Sequence, residues 1–185
     1  MMPSADGDGE IEAGQRSRPS LLARLAMSSS QFANKHGVYL GRRSTKWHVA
    51  GYRRSNGRIG GHLPGWPPAR ILLLDHIGAK SGIQRTSPLM YHDEGEFVAV
   101  VASKGGQPTH PAWFHNLKAH PDTTIQIGSE VRRVRARVAT DAERHSLWLK
   151  CLAFYPGYEF FQRNAGSRKI PIVILEPRDA DEIGR

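Results

Sequence analysis

Lys80, Arg85, Ser103 and Lys104 are three cations and a hydroxyl in two glycine-containing segments, each following an apolar run, and residues of those types can hold an anion. The first segment, "GAKSGIQRTSPLMY" at 78–91, opens like a phosphate-binding loop. It is not a P-loop: Ala79 and Leu74 stand where its two glycines are required, and the residues after the lysine read as a strand rather than a helix. The second is "ASKGG" at 102–106, and in a strand meander the two loops converge at one end. Backbone amides near Gly82 and Gly105-Gly106 can then approach a ligand closely, because no Cβ intervenes. The set describes a pocket for a phosphorylated, planar ligand, with Trp113 and the tyrosines as its apolar wall.

Other chemistries fit less well. His110, His115 and His120 recur every fifth position, whereas helical metal ligands need spacings of three or four, and no cysteine or carboxylate completes a set. Ser103 and Lys104, read as strand neighbours, point to opposite faces and cannot form a nucleophile and base, and there is no G-x-S-x-G elbow. Arg133, Arg135 and Arg137 invite nucleic acid, but the aromatics lie on other elements and no specific nucleic-acid-binding signature is present.

The elements that must position these residues begin after Pro68. Apolar runs at 70–77 and 96–102, with a less clear alternation at 86–92, predict a meander turned at Asp93-Glu94-Gly95. "PAWFHNLKAH", 111–120, reads as a short helix. A second hairpin turns at Gly128-Ser129 and returns with Val134, Ala136 and Val138 on one face and the arginines on the other. Thr140 and Glu143 form a capping box for a helix over 140–155, and a shorter helix covers 157–165. "KIPIVILEP", 169–177, is a buried strand whose Pro171 predicts a sheet edge at that end. About six antiparallel strands with flanking helices, mostly β with some α, predict a small barrel rather than a βαβ fold.

Upstream, residues 1–18 read as a disordered tail, 19–66 as a helix from Pro19 followed by a basic linker, 67–178 as the barrel domain and 179–185 as a C-terminal tail. "GRIGGHLPGWPPAR", 57–70, reads as loop. The chain has 185 residues and net charge +9; residues 1–66 hold ten Lys/Arg against four Asp/Glu, and between Arg42 and Arg58 there are six cations and no acid. That run suits an anionic membrane surface or another polyanion. The single Cys151 and the polar start lead us to expect a cytoplasmic protein, with the inner face of the cell membrane as its alternative station.

"GAKSGIQRTSPLMY", "VVASKGGQPTHPAWFHNLKAHPDTTIQIG", "TDAERHSLWLKCLAFYPGYEFFQR" and "IPIVILEP" together resemble the deazaflavin-dependent nitroreductase and quinone reductase family. The resemblance covers 70–178 and implies a split β-barrel that binds coenzyme F420, with flavin mononucleotide as the weaker alternative. It gives Lys80, Ser81, Arg85, Ser103 and Lys104 to the coenzyme phosphodiester. Pro88 and Leu89, the backbone of Thr86, Ser87 and Met90, and also Val101 and Ala102, are given to the ring. Trp113 and Asn116 match helix contacts, and Ala112, Phe114 and His115 are included by position. Tyr155 and Tyr158 match tyrosines on the substrate side, with Tyr155 the better donor to the acceptor, Ser103 a second, and Tyr158 also beside the coenzyme. Two departures stand out: Ala79 where the family often has arginine, and Phe161 where it has a third tyrosine. The implied reaction is hydride transfer from reduced F420 to a quinone, nitroaromatic or similar conjugated acceptor; a homodimer is among the expected partners. A non-catalytic coenzyme carrier, a membrane- or nucleic-acid-binding module, or a flavin mononucleotide reductase on the same barrel would fit the same residues.

Overall fold

A computed structural model describes residues 42–64 and 66–178. The helix expected from Pro19 and the two tails lie outside the described residues. In chain order the elements are α1 (Arg42–Arg54), β1 (His62–Leu63), β2 (Trp66–Ile77), β3 (Gln84–Asp93), β4 (Val98–Val101), a single 3-10 turn (Lys104–Gly106), α2 (Ala112–Ala119), β5 (Asp122–Ile127), β6 (Glu130–Val138), α3 (Asp141–Phe154), α4 (Gly157–Asn164) and β7 (Ile172–Pro177).

All strand pairs are antiparallel, in the order β1-β2-β3-β4-β7-β6-β5, and a further β2–β5 pairing at Leu73↔Gln126 and Leu74↔Ile125 closes six strands into a barrel. Closure removes the exposed edges that an open sheet would carry. The alternation of each strand divides its side chains between two cores. Leu72, Leu74, Tyr91, Val98, Val100, Ala102, Val134 and Val173 fill the barrel, which α2 plugs with Trp113, Phe114 and Leu117. Ala99, Val101, Ile172 and Ile174 face outward and are covered by α3 and α4 through Leu147, Cys151, Tyr155, Tyr158 and Phe161. The predicted capping box starts α3: Thr140 accepts from the Glu143 amide while Glu143 accepts from the Thr140 amide.

Four local expectations are revised. The basic run is mostly helix α1 rather than linker, because Tyr52 is buried and its hydroxyl donates to the Ile71 carbonyl at 2.9 Å while accepting from the Gly128 amide at 3.0 Å. The expected 57–70 loop holds β1 and the start of β2. Its prolines sit between the pairs Leu63↔Trp66 and His62↔Arg70, where a register shift leaves no ladder amide to be missed. β7 is paired on both sides, with β4 and β6, and Pro171 precedes it, contributing only a carbonyl that accepts from the Ala102 amide at 2.9 Å. Val138, placed inward by alternation with Val134 and Ala136, is instead exposed at the end of β6.

Among the described residues no helix is long and apolar enough to cross a membrane.

Candidate functional site

Strand register brings the two cationic loops to one end of the barrel. β2 leaves at Ile77, opposite Gln84 at the start of β3, so the 78–83 loop marks that end. β4 runs antiparallel to β3 with Tyr91↔Val100, so its C-terminus points the same way, and β7 enters there at Ile172↔Val101. Lys80 and Lys104 therefore belong to the same rim, as does α2, which ends just before β5.

Lys80 and Ser81 are exposed and Arg85 half-buried, and neither Lys80 nor Arg85 has a carboxylate partner among the described residues. The loop is a tight turn: the Ser81 and Gly82 amides both donate to the Gly78 carbonyl, at 3.1 and 2.8 Å. Gly82 takes φ +64°, and no atom lies within 4 Å of where its Cβ would be, so its backbone is open to approach. Beneath the loop is a buried polar chain: the Ala79 amide donates to Asn116 Oδ1 at 2.9 Å, Asn116 Nδ2 lies 2.8 Å from His76 Nδ1, and His76 Nε2 lies 3.0 Å from Ser87 Oγ. Burial holds the His76 imidazole below its ordinary pKa, Arg85 pushing the same way and Asp75 opposing.

On the outer face beside His76, Asp75 accepts from Thr86 Oγ1 at 2.5 Å and from Arg53 of α1 at 2.9 Å. The Thr86 side chain is thereby committed to Asp75 and Arg53.

Ser103 and Lys104 are in a turn, not on a strand. Lys104 adopts φ +49°, unusual for a residue with a side chain, and its Nζ donates to Thr109 Oγ1 at 2.7 Å. Arg168 secures this loop from the approach to β7, donating to the carbonyls of Ala102 at 3.1 Å, Ser103 at 2.8 Å and Gln107 at 2.7 Å. Gly106 corrects an expectation: a Cβ there would meet the Phe161 carbonyl oxygen at 2.7 Å and its Cα at 2.9 Å. Helix α4 occupies that space, so this glycine serves packing rather than ligand approach.

The remaining residues divide across the β3–β4 wall. Leu89, Ala102, Trp113 and Phe114 belong to the barrel interior, with Asn116 buried beside them, while Ala112 and His115 of α2 are exposed. Met90, Val101, Tyr155 and Tyr158 belong to the outer cluster. Pro88 is partly exposed and alternates onto the Met90 face. Trp113 and the tyrosines thus do not make one wall. Tyr155 and Tyr158 meet edge to face, ring centres 5.3 Å apart, and Phe161 lies 6.2 Å from each. Burial and the neighbouring Cys151 and Tyr155 raise the Tyr158 phenol well above its ordinary pKa, so it stays protonated.

His76 and Arg168 were not picked out from the sequence. His76 looks like an ordinary polar residue ending an apolar run, and Arg168 like a loop cation; only alternation, which puts His76 on the Leu72-Leu74 face, signals the first.

Residues 44–177 match the model of the family described as F420H(2)-dependent quinone reductase. An F420H(2)-dependent quinone reductase of Mycobacterium tuberculosis H37Rv is 39% identical over 155 residues, covering 82% of this chain and all of that one. A solved structure described as an F420-H2 dependent reductase is 41% identical with TM-score 0.53, covering 57% of this chain and 93% of that one. Another, described as a domain-swapped dimer, is 35% identical with TM-score 0.56, covering 72% and 96%. By its barrel, its two cationic loops and this extent of likeness, the chain belongs to the F420H(2)-dependent quinone reductase family, oxidoreductases whose coenzyme is the deazaflavin F420.

Proposed function

We propose that this protein reduces a quinone with reduced F420, using the rim between the 78–83 and 102–107 loops for the coenzyme and the outer face of β3–β4 for the ring and acceptor. The family match over 44–177 carries the reading. The residues suit a phosphorylated deazaflavin: among the described residues Lys80 and Arg85 lack carboxylate partners and Lys104 is held by a neutral hydroxyl, and the Gly82 backbone is open.

When bound, the coenzyme supplies the hydride. Lys80, Ser81, Arg85, Ser103 and Lys104 would hold its phosphodiester; Pro88 and Met90, both partly exposed, with the backbone of Thr86 and Ser87, would offer an apolar face to the ring, with Val101 buried behind them. Leu89, Ala102, Trp113, Phe114 and Asn116 support that face from inside the barrel, and Ala112 and His115 flank it at the helix start. A quinone that receives a hydride also needs a proton on oxygen, and Tyr155, at the end of α3 and in the same cluster as Met90 and Val101, is the donor assigned here. Tyr158 holds the Tyr155 ring in place, and Ser103 is the second hydroxyl at the rim. Phe161 cannot donate a hydrogen bond, so a quinone or a nitro acceptor alike finds one donor fewer than a tyrosine there would supply.

The reading extends to a cytoplasmic enzyme whose α1 region meets the acidic coenzyme tail or an anionic membrane surface. Exposed Lys46, Arg54 and Arg58 around Trp47 and Ile59 support that contact. A homodimer is supported by the solved relative described as domain-swapped.

The test is oxidation of reduced F420 by the purified protein with menadione as acceptor, beside reduced flavin mononucleotide. Turnover with F420 supports the reading. Tight binding of F420 without turnover would make the protein a carrier, and turnover with flavin mononucleotide alone would reassign the coenzyme.

A further inference from the structure

We propose that His76 is a positioning residue for the coenzyme: its bare Nδ1 anchors Asn116, which holds the phosphate loop at the Ala79 amide, while its Nε2–H fixes Ser87. The proposal rests on the coenzyme site proposed above and adds a residue that contacts neither coenzyme nor acceptor.

Hydrogen-bond directions along the chain are forced. The Ala79 amide can only donate, so Asn116 must present Oδ1 to it at 2.9 Å and turn its NH2 toward His76. That NH2 can only donate, so His76 Nδ1, 2.8 Å away, must be an acceptor without a proton. The single ring proton is then on Nε2 and is given to Ser87 Oγ at 3.0 Å. Ser87 accepts in this contact, which leaves its own hydroxyl proton free to donate elsewhere.

His76 and Asn116 are 4% and 7% exposed, so water does not replace a lost partner cheaply. The chain joins three separate elements: the end of β2, the middle of β3 and the plug helix α2. Its outer end is the backbone next to Lys80, whose exposed side chain has no acidic partner among the described residues to hold it. The loop's geometry is thus set from inside the barrel, through one imidazole.

A second proton on the ring would place N–H against the Asn116 NH2 and break the chain. The titratable side chains on the elements that meet here are Arg85 across the β2–β3 pair, Asp75 beside it on β2, Lys80 in the loop, His115 and Lys118 on α2, and Asp122 at the start of β5, and of these Arg85 and Asp75 act on the ring. Arg85 opposes the second proton and Asp75, already paired with Arg53, favours it.

Two substitutions separate the ring's two nitrogens. His76→Asn keeps an acceptor near Nδ1, and His76→Gln keeps a donor near Nε2. Fluorescence titration with oxidised F420 should show His76→Ala and His76→Gln binding about tenfold more weakly than wild type, and His76→Asn within about threefold. As pH falls below the ordinary imidazole value of 6.5, wild-type affinity should fall more steeply than that of His76→Asn, the difference cancelling titration of the coenzyme itself. Nitrogen-15 NMR of labelled histidine in the wild-type protein gives a reading that needs no variant to fold: His76 should be neutral at pH 7 with its proton on Nε2.

A proton on Nδ1, or full affinity in folded His76→Ala, would overturn the proposal. If Lys104→Ala weakens F420 binding while His76→Ala does not, the coenzyme site stands and only the role of His76 fails. If the wild-type protein does not bind F420, the site itself fails.

Discussion

Tyr155 shows how much one side chain can be asked to do when burial sets its terms. It is 3% exposed and packed between Tyr158 and Gly157, so any hydrogen bond it gives to an acceptor is made away from water, where it is strong. Tyr155→Phe keeps the ring and removes the donor; turnover with menadione should fall by about 10²- to 10⁴-fold, the usual span for a lost acid catalyst, while F420 affinity changes little. Equal turnover in the variant would make this tyrosine a packing residue. Arg168 is the second such case. One guanidinium serves the Ala102, Ser103 and Gln107 carbonyls, and a lysine cannot reproduce that fork. Arg168→Lys should lower unfolding stability by about 1 to 3 kcal/mol, measured by denaturant, and weaken F420 binding in the same direction, since the loop carrying Lys104 loses its brace.

At the scale of elements, α3 and α4 determine what the aromatic face can do. Adding a Cβ to Gly157 would bring it within 2.4 Å of Tyr155 Cε1 and 2.8 Å of its hydroxyl. Gly157→Ala should therefore displace the tyrosine and reduce turnover as Tyr155→Phe does, with a lowered melting temperature that the tyrosine substitution does not share. The start of α3 should respond to pH. Arg137, together with the Thr140 amide and hydroxyl, holds the Glu143 carboxyl down to about 2, against an ordinary 4.5. A depressed carboxylate stabilises the fold fully above its unfolded pKa and loses that contribution as pH falls through the folded one. The melting temperature of wild type should exceed that of Glu143→Gln at pH 7, and the gap should close between pH 4.5 and 2. A gap independent of pH would mean that packing, not charge, is responsible.

The whole molecule was legible from the sequence where a pattern is local and repeated. The β4 and β7 runs, the hairpin at Gly128-Ser129 and the Thr140–Glu143 box each carry their signal within a few residues, and together they specify an antiparallel barrel. What could not be read depends on partners far away in the chain. α1 looks like a charged linker until Tyr52 is seen to bond Ile71 and Gly128, and the prolines at 67 and 68 look like a loop until the β1–β2 shift accommodates them. The same holds for the site. The cationic loops were visible as residue types, but the division of the aromatic residues between two faces of β4, and the chain from Ser87 to Ala79, required the barrel to close. Closure rests on residues such as Leu74, wholly buried and paired with Ile125; Leu74→Ala should cost about 2 to 5 kcal/mol in denaturant unfolding.

Two loops on one rim are proposed to clasp the coenzyme's phosphate, and titration of oxidised F420 against wild type, Lys104→Ala and the Lys80→Ala/Lys104→Ala pair decides it. Binding should weaken by about 1 to 3 kcal/mol in Lys104→Ala and by more in the pair, with the fold intact by circular dichroism. A folded double variant that binds F420 as tightly as wild type would contradict it.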